Sequence, residues 1–150
     1  MGYTTTFEGE VTIDPPLNQE EIKFLTEFSE SRRMDRKEGP YELEDGNVLN
    51  HNKPPEGQPS LWCDWVPTPD GEAIVWNEGE KFYSSVEWMQ YLIDHFLKPN
   101  AIAKDALQFL QANHTLNGEI FAQGEEPDDV WKLVVTDNVV EYKQGRVAYD

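Results

Sequence analysis

From Tyr3 to Ile13 the chain reads YTTTFEGEVTI, with Phe7, Val11 and Ile13 at one parity and mostly Thr or Glu at the other. A period of two is the mark of a strand with one buried face. The Asp14-Pro15-Pro16 run stops it. Asn18 followed by Glu21 then forms a capping box, and Ile22, Leu25 and Phe28 recur at helical spacing, which predicts a first helix from about 19 to 36 that ends near Gly39-Pro40. Residues 38–60 are rich in Gly, Pro, Asn and acids and predict a long irregular loop with one short strand at Tyr41–Leu43. LWCDWV (61–66) and EAIVW (72–76) flank the turn PTPDG and predict a hairpin. Ser84 with Glu87 predicts a second capped helix through Leu97, closed by Pro99, and Asn100 a third over about 101–113. EIFAQ (119–123), VWKLVVT (130–136) and VVEYK (139–143) predict three antiparallel strands, the last two joined at Asp137-Asn138. The fold class is α+β: a single domain over residues 1–150, with about three helices packed on a mainly antiparallel sheet of about six strands.

Charge narrows the partners. With 29 acidic and 12 basic residues the formal net charge is −17, which repels nucleic-acid backbones and anionic membranes and argues against general binding to either. The same field suits a basic protein partner, nucleic-acid mimicry, or simple solubility. Aromatic residues make up 12% of the chain, too many for a disordered acidic segment. Cys63 is the single cysteine, so no internal disulfide forms. With no charged-then-apolar leader and no apolar run of membrane-spanning length, a reducing, cytoplasmic setting is expected.

Against that acidity, SRRMDRK (31–37) gathers Arg32, Arg33, Arg36 and Lys37. On a helix continued to residue 36, Arg32 and Arg36 fall on the Phe28 stripe and Arg33 lies beside it. Two readings compete. The arginines can lie along apolar surface, pair with acids and complement the helix C-terminus. Alternatively they line a pocket and grip phosphate or carboxylate with their guanidinium forks.

Aromatic residues supply the second half of such a site. Trp62 and Trp65 stand three apart, on opposite faces of a regular strand, and Trp88, Tyr91 and His95 share one face of the second helix beside its core stripe. Core burial is the commoner explanation for the helix residues, with a third helix to pack against. Arginine forks with Trp or Tyr planes are what a purine carrying phosphate needs. The candidate ligand-binding residues are therefore Arg32, Arg33, Arg36, Trp62, Trp65, Trp88, Tyr91 and His95. Three scattered histidines and one cysteine fall short of a zinc site, GEEPDD (124–129) lacks the ligand spacing of a calcium loop, and Cys63 between two Trp residues reads as a buried small hydrophobe. No metal, cofactor or catalytic residue is expected.

SRRMDRKEGPY, PPEGQPSLWCDWVPTPDG, EKFYSSVEWMQYLIDHFLKP and NGEIFAQGEEPDDVWKLVV together resemble a group of small acidic proteins of unknown function from bacteriophages and actinobacterial genomes. The resemblance implies a phage setting, in which small acidic proteins act as inhibitors of host proteins, as nucleic-acid mimics, or as sponges for nucleotide signals in host defence. Three functional readings stand: a protein, homo-oligomeric or not, that sequesters an anionic nucleotide-like molecule; an acidic inhibitor of a basic protein surface; and an enzyme acting on the same nucleotide-like ligand.

Overall fold

The computed structural model describes residues 4–44, 46–79 and 82–145. The opening alternation becomes β1 (Thr6–Asp14), and the Asn18 box opens α1 (Gln19–Glu30). The Asn18 side chain accepts from the Glu21 N–H while the Glu21 carboxylate accepts from the Asn18 N–H. Then come the short strands β2 (Asp35–Arg36) and β3 (Val48–Asn50), and the hairpin β4 (Trp65–Pro67) and β5 (Ala73–Trp76). Helix α2 (Ser85–Leu92) runs into a π-helical turn, Ile93–Leu97, and a 3-10 turn, Ile102–Lys104, follows. Strands β6 (Thr115–Gln123), β7 (Val130–Thr136) and β8 (Val139–Gln144) finish the chain.

All pairings are antiparallel, and the six-stranded sheet runs β4-β5-β1-β6-β7-β8. β2 and β3 pair separately. One face of the large sheet presents Val11, Ile13, Ile74, Leu116, Ile120, Leu133 and Val135 to Phe24, Leu25 and Phe28 of α1 and to Trp88, Met89, Leu92, Ile93 and Phe96. Phe24, Phe28 and Trp88 meet Phe96 or each other edge-to-face at 5.3–5.8 Å between centroids, contacts that add about 0.5–1.5 kcal/mol each beyond burial. The other face, with Glu8, Glu10, Thr12, Glu119 and Phe121, is open to water. Among the described residues no helix is long and apolar enough to cross a membrane.

The α+β class and the antiparallel six-stranded sheet agree with the sequence expectation; the helix count does not. Among the described residues there are two α-helices. Residues 101–113 form only the 3-10 turn, because their backbone is claimed elsewhere: Asn18 Nδ2 donates to the Phe109 carbonyl, and the Gln111 N–H donates to Glu21. Helix α1 stops at Glu30 rather than 36, with Ser31 extended (φ −105°, ψ 128°) and the Arg33 N–H bonded to the Leu61 carbonyl. The arginine run is therefore not helical. The short strand of the loop lies at 48–50 instead of 41–43. Ser84 adopts a left-handed conformation (φ 59°) and makes no side-chain cap, so the second capping box is absent.

Gly9 and Gly118 bring β1 and β6 unusually close. A Cβ on Gly118 (φ +154°) would lie 2.5 Å from the Glu10 carbonyl oxygen and 2.8 Å from the Val11 Cα, both backbone atoms that cannot swing away. Gly118→Ala is therefore expected to destabilise by about 2 kcal/mol or more through overpacking and strain, seen as a lower urea midpoint at unchanged slope.

Candidate functional site

The early end of α1 redistributes the arginines. Arg33 is fully buried, its guanidinium 4.3 Å over the Phe28 ring. Nη1 donates to the Pro40 carbonyl at 3.1 Å, Nη2 to the Glu42 carbonyl at 2.9 Å and to the Ser31 hydroxyl. These bonds fasten the start of the long loop to the end of α1. Arg36, in β2, is also buried, and its Nη1 reaches the Met34 carbonyl at 3.5 Å. Arg32 differs. It is half-buried, and its Nε donates to the His51 carbonyl at 3.0 Å.

The aromatic candidates divide in the same way. Trp65 and Trp88 are core residues whose indole N–H groups donate to the Ser85 carbonyl (2.8 Å) and the Ser60 hydroxyl (2.7 Å). Tyr91 is buried and stacks on His95, with 3.8 Å between centroids and a 17° interplanar angle. Tyr41 Oη lies 2.7 Å from His95 Nδ1, and Gln58 Nε2 donates to Tyr91 Oη at 3.0 Å and to the Pro40 carbonyl at 2.7 Å. Burial holds His95 below its ordinary pKa and raises Tyr91 above its own. This is a packed seam between loop and helix. Trp62, by contrast, lies before β4 begins and remains 42% exposed.

Arg32 and Trp62 thus meet at one place, an open cleft of about 800 Å³ between the end of α1 and the loop. Met34, Leu43 and Val48 give it an apolar lining, while Glu27, Glu30, Glu44 and His51 give it polar walls. The sequence analysis did not single out these glutamates or His51. Four acids and bases from α1 and the loop converge here only because the chain reverses after Glu30, and no periodicity reports such a reversal. With Nε held on His51, the Arg32 fork is pre-oriented, and an exposed indole shares its cleft. The three carboxylates set a limit: they oppose a strongly anionic ligand and favour one with hydrogen-bond donors on another edge.

Cys63 is fully buried, and burial pushes its thiol up to about 12, far from a reactive thiolate. Among the described residues no three His, Cys, Asp or Glu side chains gather as a metal site.

The least anticipated feature is a buried pair, Glu21 and His114, both side chains closed to solvent. His114 Nε2 lies 3.0–3.1 Å from both carboxylate oxygens, and Nδ1 lies 2.6 Å from the Pro15 carbonyl. Both ring nitrogens face acceptors, an arrangement that favours a doubly protonated imidazolium opposite a carboxylate. Burial alone would lower its pKa, but the bonds to Glu21 and Pro15 raise it above 6.5. For Glu21, burial alone would raise the pKa, but His114 and the N–H groups of Asn18 and Gln111 hold it below 4.5.

No family model matches the chain, and no curated protein or solved structure matches it either.

Proposed function

We propose that the protein binds a small planar ligand carrying a single anionic group, a nucleoside monophosphate or a cyclic nucleotide being the best chemical fit, in the cleft of Arg32 and Trp62. The observation that supports it most is the pairing there of a pre-oriented guanidinium with an exposed indole. Arg32 takes the phosphate, Trp62 stacks on the base, and Glu27, Glu30 or Glu44 accepts from the amino edge of that base. A triphosphate fits poorly against those carboxylates. Such a charge-assisted bond contributes about 1.5–3 kcal/mol and a stacking ring about 1–3 kcal/mol. The proposed role is sequestration of that ligand. The phage-type sponge implied by the resemblance is one setting for it.

The test is a thermal-shift and tryptophan-fluorescence titration with monophosphate and cyclic nucleotides, alongside nucleoside triphosphates. The wild type should shift upward by several degrees, with quenching of Trp62. Arg32→Ala and Trp62→Ala should each lose the shift while keeping the fold. Normal binding by Arg32→Ala places the site elsewhere, and silence toward every nucleotide removes this reading.

A second reading, capture of a basic protein surface, draws support from the open sheet face. Glu10 stands directly across from Glu119 there, which Lys132 already holds at 3.1 Å, so exposed Glu8 and Glu10 are the carboxylates a cationic partner would meet. Its affinity would fall steeply with salt.

A further inference from the structure

Strand β8 ends the sheet, and its backbone polarity can be read from the hairpin. The Gly145 N–H donates to the Val130 carbonyl, so residues of odd number in β8 direct their backbone groups to β7 and those of even number direct theirs outward. The start of β8 obeys this. The Asn138 carbonyl and the Val140 N–H point away from β7, and the Gln90 side chain of α2 bonds both, at 3.2 and 3.0 Å. Gln90 stands in for a neighbouring strand over that one rung. Beyond it, among the described residues, no strand pairs with the outward groups of Tyr142 and Gln144, and Glu141, Tyr142 and Lys143 are exposed.

We propose that this edge pairs with β8 of a second copy of the chain, antiparallel about a twofold axis through Tyr142, joining the two sheets into one. Charge decides both occupant and register. With Tyr142 opposite the partner's Tyr142, Glu141 faces the partner's Lys143, and Lys143 faces the partner's Glu141. Sliding the pairing by one rung sets Lys143 against the partner's Lys143; sliding it the other way sets Glu141 against the partner's Glu141. Opposite charges directly across a strand pair stabilise, and like charges do the reverse, so a single register is complementary. Lys132 lies directly beside Lys143 on β7, a local basic spot at which a chain of net charge −17 can meet itself. In this register Val140 keeps its bond to Gln90, so α2 need not move. Tyr142 exchanges backbone bonds with the partner's Tyr142, and the Gln144 N–H reaches the carbonyl of the partner's Val140. On the helix-covered side, exposed Tyr142 packs beside half-buried Trp131 at 5.2 Å between centroids, so the dimer also covers the Tyr142 ring.

Sedimentation equilibrium of the full chain tests this. The wild type should show a concentration-dependent dimer. Glu141→Lys and Lys143→Glu should each run at monomer mass with unchanged circular dichroism, since both side chains are exposed. An equimolar mixture of the two variants should regain the dimer mass, because every facing pair is then opposite in charge; the double swap on one chain should regain it for the same reason. A wild type that stays monomeric at high micromolar concentration overturns the proposal. So does a dimer that survives both single reversals, or a mixture that stays monomeric.

Discussion

His114→Leu should lower the stability of the protein near pH 6 by about 3–5 kcal/mol, the usual consequence of removing one partner of a buried ion pair. Leucine fills much the same space, so the loss reports the charge left behind on Glu21 rather than a cavity. Its pH dependence has a definite sign. His114 has a raised folded pKa, so its contribution is complete below 6.5 and is lost as pH climbs through the higher folded value. Glu21 has a lowered folded pKa, so its contribution is complete above 4.5 and is lost as pH falls through the lower folded value. The gap between wild type and variant is therefore widest between about 4.5 and 6.5 and narrows on either side. Urea denaturation across that range measures it. A loss below about 1 kcal/mol with no pH dependence would mean a neutral hydrogen bond in place of an ion pair.

Arg33→Met should be the second large effect, about 3–5 kcal/mol, because it takes the donor from the Glu42 carbonyl and the Ser31 hydroxyl and leaves the Pro40 carbonyl to Gln58 alone. Arg33→Lys should rescue little, since one ammonium cannot span carbonyls that a planar fork reaches from separate nitrogens. The loss should appear first in the loop. Hydrogen exchange at residues 38–60 should quicken in the variant well before the amides of β1 and β6 respond. A variant with wild-type midpoint and unchanged loop protection would show that the loop is held by other contacts. The comparison with Arg32→Ala is informative, because two neighbouring arginines are expected to fail differently: Arg33 in folding, Arg32 in binding.

What the sequence disclosed follows the reach of each signal. β1, the Asn18 box and the turn at Asp137-Asn138 are written in adjacent residues, and each appears where alternation, capping or turn chemistry puts it. The first helix overran because Arg, Met and Lys are good helix formers, while the reason to stop is Arg33, whose partners lie seven and nine residues ahead. The third helix failed for a similar reason, its backbone being spoken for by α1. Nothing local could disclose the Glu21–His114 pair, separated by 93 positions. For the candidate site, residue type was informative but environment was not. Arginine and tryptophan pick out both a core and a cleft, and only the end of α1 decides that Arg32 and Trp62 fall in one and Arg33 and Trp65 in the other.

The position of β1 has a consequence for how the molecule is made. Thr6 pairs with Gln123, 117 residues later, and β1 is held between β5 and β6 in the middle of the sheet. β1 leaves the ribosome before β6, so Val11 and Ile13 have no companion on the β6 side until Leu116 and Gly118 have followed. Such distant pairings close slowly. Through that interval the central strand lacks its β6 neighbour, and the charges of Glu8 and Glu10 along it are of the kind that discourages pairing with a wrong one.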